Sequence, residues 1–492
     1  MSTARLPTPP AAGAIARLVA KALLLVLLAA SLATIAHPGA ARAATIEIVN
    51  LNAPGVGFND PTPAQPVGGN PGTTLGEQRL IAFQHAANIW GESIESEAPI
   101  RIGASFVPLS CNANSAVLGA AGATEVWANF PNAPRTNTWY PAALASKLAG
   151  TDLTSPASYH IIANFNSLLG LTPTCVPGLT FYLGLDNAAG NQIDLVTVLL
   201  HEMAHGLGFQ TFTDDASGAY FFGLPSVWDH YLLDNRLGRT WTQLTAGERA
   251  ASARAWRGLS WSGPLVTAAV PGVLGPQPVL SISGGAAGDA FGTYAAGAAN
   301  FGAPLGTTPL RGEVMPVVDQ PDGNGLACTA LNELNARTVR GKIALVDRGT
   351  CDYTVKARNV QAAGAIGMIV ADNVAGEVAD LPGNAPDVTI PAVRITRADG
   401  LRLKTALQTR SRTTSGVIAQ LSVNLERLAG ADDQHRILMY SPTVLAPGSS
   451  VSHYTTEARP NQLMEPAINS DLSHEVAPPR DLTLPLLQDI GW

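Results

Sequence analysis

The spacing of apolar positions predicts strands and helices along the first half of the chain. Alternating apolar and polar residues, or a short apolar run, indicate a strand, whereas apolar residues three and four apart indicate a helix. The predicted strands cover residues 46–51, 100–107, 159–165 and 180–185, and the predicted helices cover residues 75–94 and 245–256. Residues 159–165 are also expected to pair with an extended peptide, as edge strands do.

A mostly apolar run at residues 195–200 leads directly into His201, Glu202 and His205. Asp194 is suited to cap a helix N-terminus, and the glycines that follow can end the helix. Residues four apart share one helix face, so both imidazoles can bind one metal ion beside the carboxylate. The HExxH spacing therefore predicts a Zn²⁺ site in which Glu202 acts as the base. By the pattern alone, a core helix with two chance histidines stays possible.

A second informative pattern begins at Gly341. It predicts two buried strands, at residues 343–346 and 365–371, with a turn and a helix between them, and a further strand at residues 387–394. The stretch GKIALVDRGTC…NVQAAGAIGMIVADN resembles the characteristic run of the protease-associated (PA) domain. The resemblance covers roughly residues 265–425. It implies a β-rich module that binds or gates substrate and has no catalytic residues of its own.

The C-terminal residues 449–492 contain His453, the segment LMEP around Met464, and a final D-I-G-W. They resemble the C-terminal half of leishmanolysin-type metzincins, in which a large insertion separates the HExxH helix from a third histidine and a methionine turn. The resemblance implies that His453 is the third zinc ligand. It also implies that Met464 packs beneath the metal and that the last helix covers residues 482–492.

The third ligand has alternatives. The common metzincin spacing places it six residues after His205, where this chain has Thr211, and threonine does not replace imidazole on zinc. His474 follows the methionine turn closely and is one alternative to His453. A carboxylate is the other, from Asp214, Asp215 or Asp229.

Together these features predict an α+β chain whose zincin or metzincin-like catalytic domain is split by an inserted PA domain. The predicted segments are a signal peptide (1–43), the first catalytic part (44–263), the PA domain (264–428) and the second catalytic part (429–492). An inserted domain whose ends lie close together need not separate the two catalytic parts in space.

The N-terminus has the features of an export signal. Basic residues precede the apolar run 22–36, and Ala41-Arg42-Ala43 provides a cleavage site. That run is shorter than a membrane span requires, so no stable membrane insertion is expected after cleavage. Export permits disulfides, and the pairs Cys111–Cys175 and Cys328–Cys351 are favoured because each lies within one predicted domain. Metal-binding thiols are the alternative.

Charge narrows the possible partners. The formal net charge is −7, only 14% of residues are charged, and no basic cluster follows the N-terminus, which argues against nucleic acid. The predicted function is a secreted zinc metalloendopeptidase, extracellular or periplasmic, that acts on proteins or peptides. A secreted PA-domain binding or adhesion protein with a vestigial zinc site is the alternative, and a non-peptidase zinc hydrolase is a third possibility. No sequence feature indicates cleavage specificity or oligomeric state.

Overall fold

The computed structural model describes residues 43–318, 320–469 and 471–492. The predicted signal peptide, apart from Ala43, lies outside the described residues. Within the described ranges, no helix has the length and apolar character that crossing a membrane requires.

A four-stranded sheet and a buried helix form the centre of the N-terminal region. Its strands and helices are β1 Ile46–Asn50, α1 Leu75–Ser93, β2 Ile100–Val107, β3 Gly119–Ala123, β4 Val126–Trp127, β5 Tyr140–Pro141, α2 Ala142–Ala149, β6 Ile161–Asn166, β7 Phe181–Tyr182, β8 Ile193–Asp194 and α3 Leu195–Leu207. The sheet order is β1-β2-β6-β3, with β1, β2 and β6 parallel and β3 antiparallel to β6. Helix α1 begins with a capping box between Thr74 and Glu77, which satisfies backbone donors at its first turn.

The expected role of residues 159–165 as an open edge strand is wrong. Strand β6 lies between β2 and β3 and uses both of its edges within the sheet. The edge strand next to β6 is instead β3, whose sequence GAAGA has no alternation of large apolar and polar residues; β1 forms the other edge. A strand of small residues gives no periodic signal, and this explains why the sequence did not predict it.

Helix α3 carries the HExxH residues and is buried along its whole length. Asp194 caps it, because its carboxylate accepts the Thr197 N–H at 2.9 Å. Gly206 allows close approach to the sheet, since an added Cβ would lie 2.4 Å from Ile161. The helix ends at Gly208, whose φ of 127° suits glycine.

The next region contains β9 Leu232–Asp234, β10 Arg239–Thr240, α4 Ala246–Ser252, β11 Leu259–Trp261 and α5 Pro264–Val273. Proline is well tolerated at the start of a helix, and Pro264 begins α5. The Asp489 carboxylate then accepts the backbone N–H groups of Leu265 and Val266, at 2.8 and 3.2 Å. These bonds join α5 to the C-terminal helix.

An eight-stranded sheet follows. Its elements are β12 Pro276–Ser283, β13 Gly292–Ala295, β14 Gly297–Ala298, β15 Leu310–Pro316, α6 Glu333–Val339, β16 Ile343–Asp347, α7 Tyr353–Ala362, β17 Gly367–Ala371, β18 Ala392–Ile395, α8 Arg397–Ala406 and β19 Ile418–Leu428. Strands β15, β16, β17 and β18 are parallel neighbours, and β19 lies between β12 and β15. The last helix of the chain, α9 Thr483–Ile490, belongs to the C-terminal segment.

The buried side chains form three apolar clusters. The largest joins residues from 44–274 with residues from 437–490. The other two lie on opposite faces of the eight-stranded sheet, where Ala344 and Val346 face one cluster and Ile343 and Leu345 face the other. The domain limits themselves stay a prediction.

Both favoured disulfide pairings are confirmed. Cys111 is bonded to Cys175 and Cys328 to Cys351, with Cα atoms 5.1 and 5.7 Å apart, within the usual range for a disulfide. The chain has no free cysteine, so the alternative of metal-binding thiols is excluded.

Candidate metal centre

Three histidines that are far apart in sequence meet at one end of a cleft. His201 and His205 project from α3, and His453 comes from the C-terminal segment, 248 residues after His205. Their Nε2 atoms form a triangle with sides of 3.2, 3.2 and 3.3 Å. Among the described residues, no other group of three or more potential ligand side chains lies within 4.8 Å of one another.

Backbone carbonyls hold the other nitrogen of each ring. The Nδ1 atom of His201 lies 2.7 Å from Leu463 O, that of His205 lies 2.8 Å from Phe209 O, and that of His453 lies 2.8 Å from Ser449 O. Carbonyl oxygens can only accept hydrogen bonds, so the Nδ1 atom of each neutral ring must carry the proton. The Nε2 atom of each ring then has a free lone pair. Three lone pairs that face one another have no donor among them, and a metal cation would satisfy all three.

The spacing fits one tetrahedral ion. Ligand nitrogens about 2.0–2.1 Å from a metal, at tetrahedral angles, lie about 3.3 Å apart. The observed sides of 3.2–3.3 Å agree with that separation. Three protein ligands leave a fourth position of a tetrahedron for water or substrate, as in catalytic zinc sites.

The electrostatics favour the ligand form of the rings. Burial lowers the pKa of His201 to about 4 and that of His205 to about 3, and it lowers the pKa of His453 well below its usual range. Neighbouring imidazoles lower the last two pKa values further. All three rings are therefore neutral at physiological pH, as metal ligation requires.

Glu202 lies beside the triangle against the edge strand. Burial raises the pKa of its carboxyl to about 8, opposed by a hydrogen bond from the Ala121 N–H. A metal cation at the imidazoles would favour the ionised carboxylate again. Strand β3 comes very close at this point, because a Cβ added at Gly119 would lie 2.8 Å from Glu202 Cγ.

The alternative third ligands lie elsewhere. The Asp229 carboxylate accepts the hydroxyls of Thr211 and Thr213, at 2.8 and 2.7 Å, and is fully buried in that structural role. His474 contacts Asp194 at 2.9 Å, at the opposite end of α3. Asp214 and Asp215 line the cleft but do not belong to the histidine group. The structure thus brings together the predicted set His201, His205 and His453.

The methionine turn around Met464 supports His201 through a backbone carbonyl. Leu463, whose carbonyl accepts the His201 Nδ1–H, is itself held by the Asp481 carboxylate, which accepts its N–H at 2.6 Å. Met464 is fully buried, and its carbonyl accepts the Tyr454 N–H at 2.8 Å. Sequence reasoning missed Asp481 and the supporting carbonyls, because a main-chain carbonyl has no residue type by which it can be recognised.

The cleft has a volume of about 780 Å³. Strand β3 lines one side, and residues 447–453 and 465–468 line others. Glu202 and the three histidines all contribute to its surface. An extended peptide in this cleft would therefore have the metal centre and the carboxylate within reach.

Comparison with known proteins identifies one module. Residues 311–403 match the family described as PA domain. This segment is a PA domain. The match confirms the resemblance that begins at Gly341, and it leaves the metal centre outside. The leishmanolysin-like resemblance is not tested by it.

Curated relatives match only in part. They include the minor extracellular protease Vpr of Bacillus subtilis, 29% identical over 122 residues (24% of this chain and 15% of that protein). The C5a peptidase of Streptococcus pyogenes is 40% identical over 75 residues (15% of this chain and 6% of that protein). Vacuolar-sorting receptor 2 of Arabidopsis thaliana is 32% identical over 133 residues (24% and 20%). The chain thus spans a fifth or less of their lengths.

Solved structures give weaker likenesses. The zinc aminopeptidase BSAP of Bacillus subtilis aligns with 24% identity and a TM-score of 0.22, over 33% of this chain and 36% of that one. The aminopeptidase of Aneurinibacillus sp. strain AM-1 aligns with 16% identity and a TM-score of 0.20, over 40% and 42%. Scores of this size support no conclusion about the fold of the metal centre.

Proposed function

We propose that the chain is a secreted zinc metalloendopeptidase of metzincin type that carries an inserted PA domain. One observation carries the proposal: the triangle of His201, His205 and His453 Nε2 atoms lies beside the buried Glu202. Neutral imidazoles at this spacing suit Zn²⁺, and a carboxylate next to them suits the activation of water.

In the proposed mechanism the three histidines hold the metal and Glu202 moves the proton. A zinc ion held there would supply Lewis acidity for the scissile carbonyl and would make water more acidic. Glu202 accepts the proton of the attacking water and passes it to the leaving amine, which breaks the C–N bond. Its burial against β3 limits the contact of this carboxylate with bulk water.

The free edge of β3 is the proposed binding site for substrate backbone. Its residues are small, so an added strand can approach its main chain, where the Ala121 N–H already donates to the Glu202 carboxylate. Strand β3 and helix α3 advance in the same direction, because Gly119 lies beside Glu202 and Gly122 lies beside Gln210. A peptide paired antiparallel to β3 therefore begins near Gln210 and ends near Glu202. Its residues before the scissile bond lie at the Gln210 end.

Secretion and the use of the PA domain are part of the proposal. Two disulfides suit an oxidising compartment, and one partial relative is named an extracellular protease. Another partial relative is named a sorting receptor, which favours the second candidate, a secreted PA-domain binding or adhesion protein with a vestigial zinc site. Retention of Glu202 beside the histidines favours the peptidase, since a structural zinc site needs no base.

The test is casein hydrolysis by the purified secreted chain. We expect zinc-loaded protein to hydrolyse casein, a chelator to abolish hydrolysis, and added zinc to restore it. Glu202→Gln should keep its zinc and lose activity by about 10²–10⁴-fold, because only the proton acceptor is removed. If the wild type were as inert as Glu202→Gln while both held one zinc, the binding-protein function would replace the peptidase.

A further inference from the structure

The two ends of the candidate cleft differ in chemistry. Near the first half of α3 the lining is apolar, with Leu179, Ile193, Val198 and Ile468. Beyond the end of α3 the lining is mostly polar and comes from residues 210, 211, 213–215, 447–450 and 452. For a peptide paired antiparallel to β3, the residues before the scissile bond would lie at the polar end. The residues after the scissile bond would lie at the apolar end.

The cleft is lined by four carboxylates, and its described lining contains neither lysine nor arginine. Two of the four have defined roles. Glu202 lies at the metal centre, and the Glu465 carboxylate accepts the Gln462 N–H at 2.9 Å and the Asn469 side-chain amide at 3.1 Å. The other two carboxylates, Asp214 and Asp215, lie at the polar end and have no basic residue beside them in the lining.

Asp215 has no ion-pair partner in the described part of the chain, although a cation is near. The guanidinium of Arg254 donates instead to the carbonyls of Ala250 and Ala216, at 2.9 and 3.4 Å. Burial and the neighbouring Asp214 raise the pKa of Asp215, and the charge of Arg254 opposes this shift without reversing it. A cationic ligand would therefore further stabilise the charged form of Asp215. Asp214 is held in place by the N–H and hydroxyl of Ser217, at 2.7 and 2.6 Å.

A second, independent group at this end also lacks a partner. The side-chain amide nitrogen of Gln210 is buried and makes no hydrogen bond, and Gln210 lines the cleft beside Gly122 of the edge strand. Buried donors are normally paired, so a bound chain with an acceptor would complete this end of the cleft. A peptide carbonyl next to β3 is such an acceptor.

We infer that this cleft selects peptides with lysine or arginine on the N-terminal side of the scissile bond, and that Asp215, supported by Asp214, binds that side chain. The inference rests on the proposed peptidase function and on antiparallel pairing with β3. An ammonium or guanidinium group supplies the counter-charge that the cleft lacks, and its flexible stem reaches from the strand to the carboxylates.

The first experiment is a digest of a mixed peptide library by the zinc-loaded full chain, with the cleavage sites read by mass spectrometry. Lysine and arginine should be enriched among the residues just before the cleaved bond. Two fluorogenic peptides follow, identical except for lysine or glutamate at the most enriched position. We expect kcat/KM to be about tenfold higher for the lysine peptide, and the ratio to fall to about one in Asp215→Asn.

Reversal and control variants sharpen the result. Asp215→Lys should favour the glutamate peptide, which a loss of folding cannot produce. Asp289→Asn removes one exposed carboxylate from the region after β12 and should leave the ratio unchanged. No enrichment of basic residues, or a ratio that Asp215→Lys does not move, would overturn the inference while casein hydrolysis still supports the peptidase.

Binding of the two peptides to Glu202→Gln separates the two proposals. Tighter binding of the lysine peptide, measured by fluorescence anisotropy and lost when Asp215→Asn is added, supports the acidic subsite even if the wild type cleaves neither peptide. That combination would overturn the peptidase alone. Equal binding of both peptides would overturn the subsite, whatever the activity.

Discussion

The eight-stranded sheet, which includes the strands of the PA domain, and the candidate metal centre are built in opposite ways. The eight strands of the sheet all come from residues 276–428. Strands β15 to β18 are parallel neighbours, with α6 between β15 and β16 and α7 between β16 and β17. The metal centre takes two imidazoles from α3 and one from beyond the whole of that sheet. The sheet can thus form from one continuous segment, whereas the candidate metal centre requires residues from both sides of that segment. Loss of the metal centre should therefore leave the sheet intact.

The largest expected effect comes from removing the distant ligand. His453→Ala should lower zinc occupancy and reduce kcat/KM about a thousandfold or more, because two histidines no longer hold the metal in catalytic geometry. The PA domain should keep its protection from hydrogen exchange. Metal analysis, casein assays and exchange mass spectrometry measure these three outcomes.

His435→Asn is the matched control for that variant. His435 is exposed at a φ of 60°, a conformation that asparagine tolerates, so zinc and activity should stay at wild-type values. If zinc were lost in His474→Ala but retained in His453→Ala, the proposed ligand set would be incorrect.

A smaller effect is expected at the contact between β3 and Glu202. Gly119→Ala places a Cβ 2.8 Å from Glu202 Cγ, so the carboxylate must move away from its position. We expect kcat to fall about 10-fold to 100-fold with zinc retained, since a displacement of about 1 Å is costly in catalysis. In Gly122→Ala the nearest contact is an ordinary 3.4 Å, so the loss should be smaller. Equal losses in both variants would indicate a general effect on the strand.

The smallest effect concerns the contact between the PA domain and the catalytic part. Burial, and then the charge of Glu457, raise the pKa of Glu377 to about 8 from an ordinary 4.5. Arg257 opposes this shift, and Tyr440 is the other titratable neighbour. One Glu377 carboxylate oxygen is buried without a partner, so its ionisation has no hydrogen bond to offset it.

The sign of the pH dependence follows from that shift. Between pH 4.5 and about 8 the folded chain holds a proton on Glu377 that the unfolded chain has lost, so Glu377 makes stability fall as pH rises through this window. Glu377→Gln should flatten the fall and add about 1–2 kcal/mol to the free energy of unfolding at pH 8. Denaturant unfolding at several pH values measures how the free energy of unfolding depends on pH. The control is Glu426→Gln, at an exposed site. An unchanged pH slope in Glu377→Gln would show that Glu377 is ionised in the folded chain.

Local patterns were sufficient for much of this protein. Capping residues and apolar runs predicted the α3 helix and the two central strands of the PA domain, and the structure contains each of them close to its predicted limits. The final helix, which the resemblance of the C-terminal residues implied, covers Thr483–Ile490. The cysteine pairings followed from which residues share a predicted domain. The helix and the strands depend on residues that are near one another in sequence. The disulfides required only a choice among the three possible pairings of four cysteines.

Tertiary structure alone decided the rest. The edge strand β3 has too few large side chains to show a periodic pattern. Strand β19 lies in the middle of its sheet, between two strands that come over 100 residues earlier in the sequence. The carbonyls of Leu463, Phe209 and Ser449 orient the three imidazoles, although no side chain identifies them. The HExxH spacing predicted two of the proposed ligands and the proposed base, because about one helical turn relates them. The position of His453 depends on how the chain returns after the PA domain, and only the packed fold determines that path.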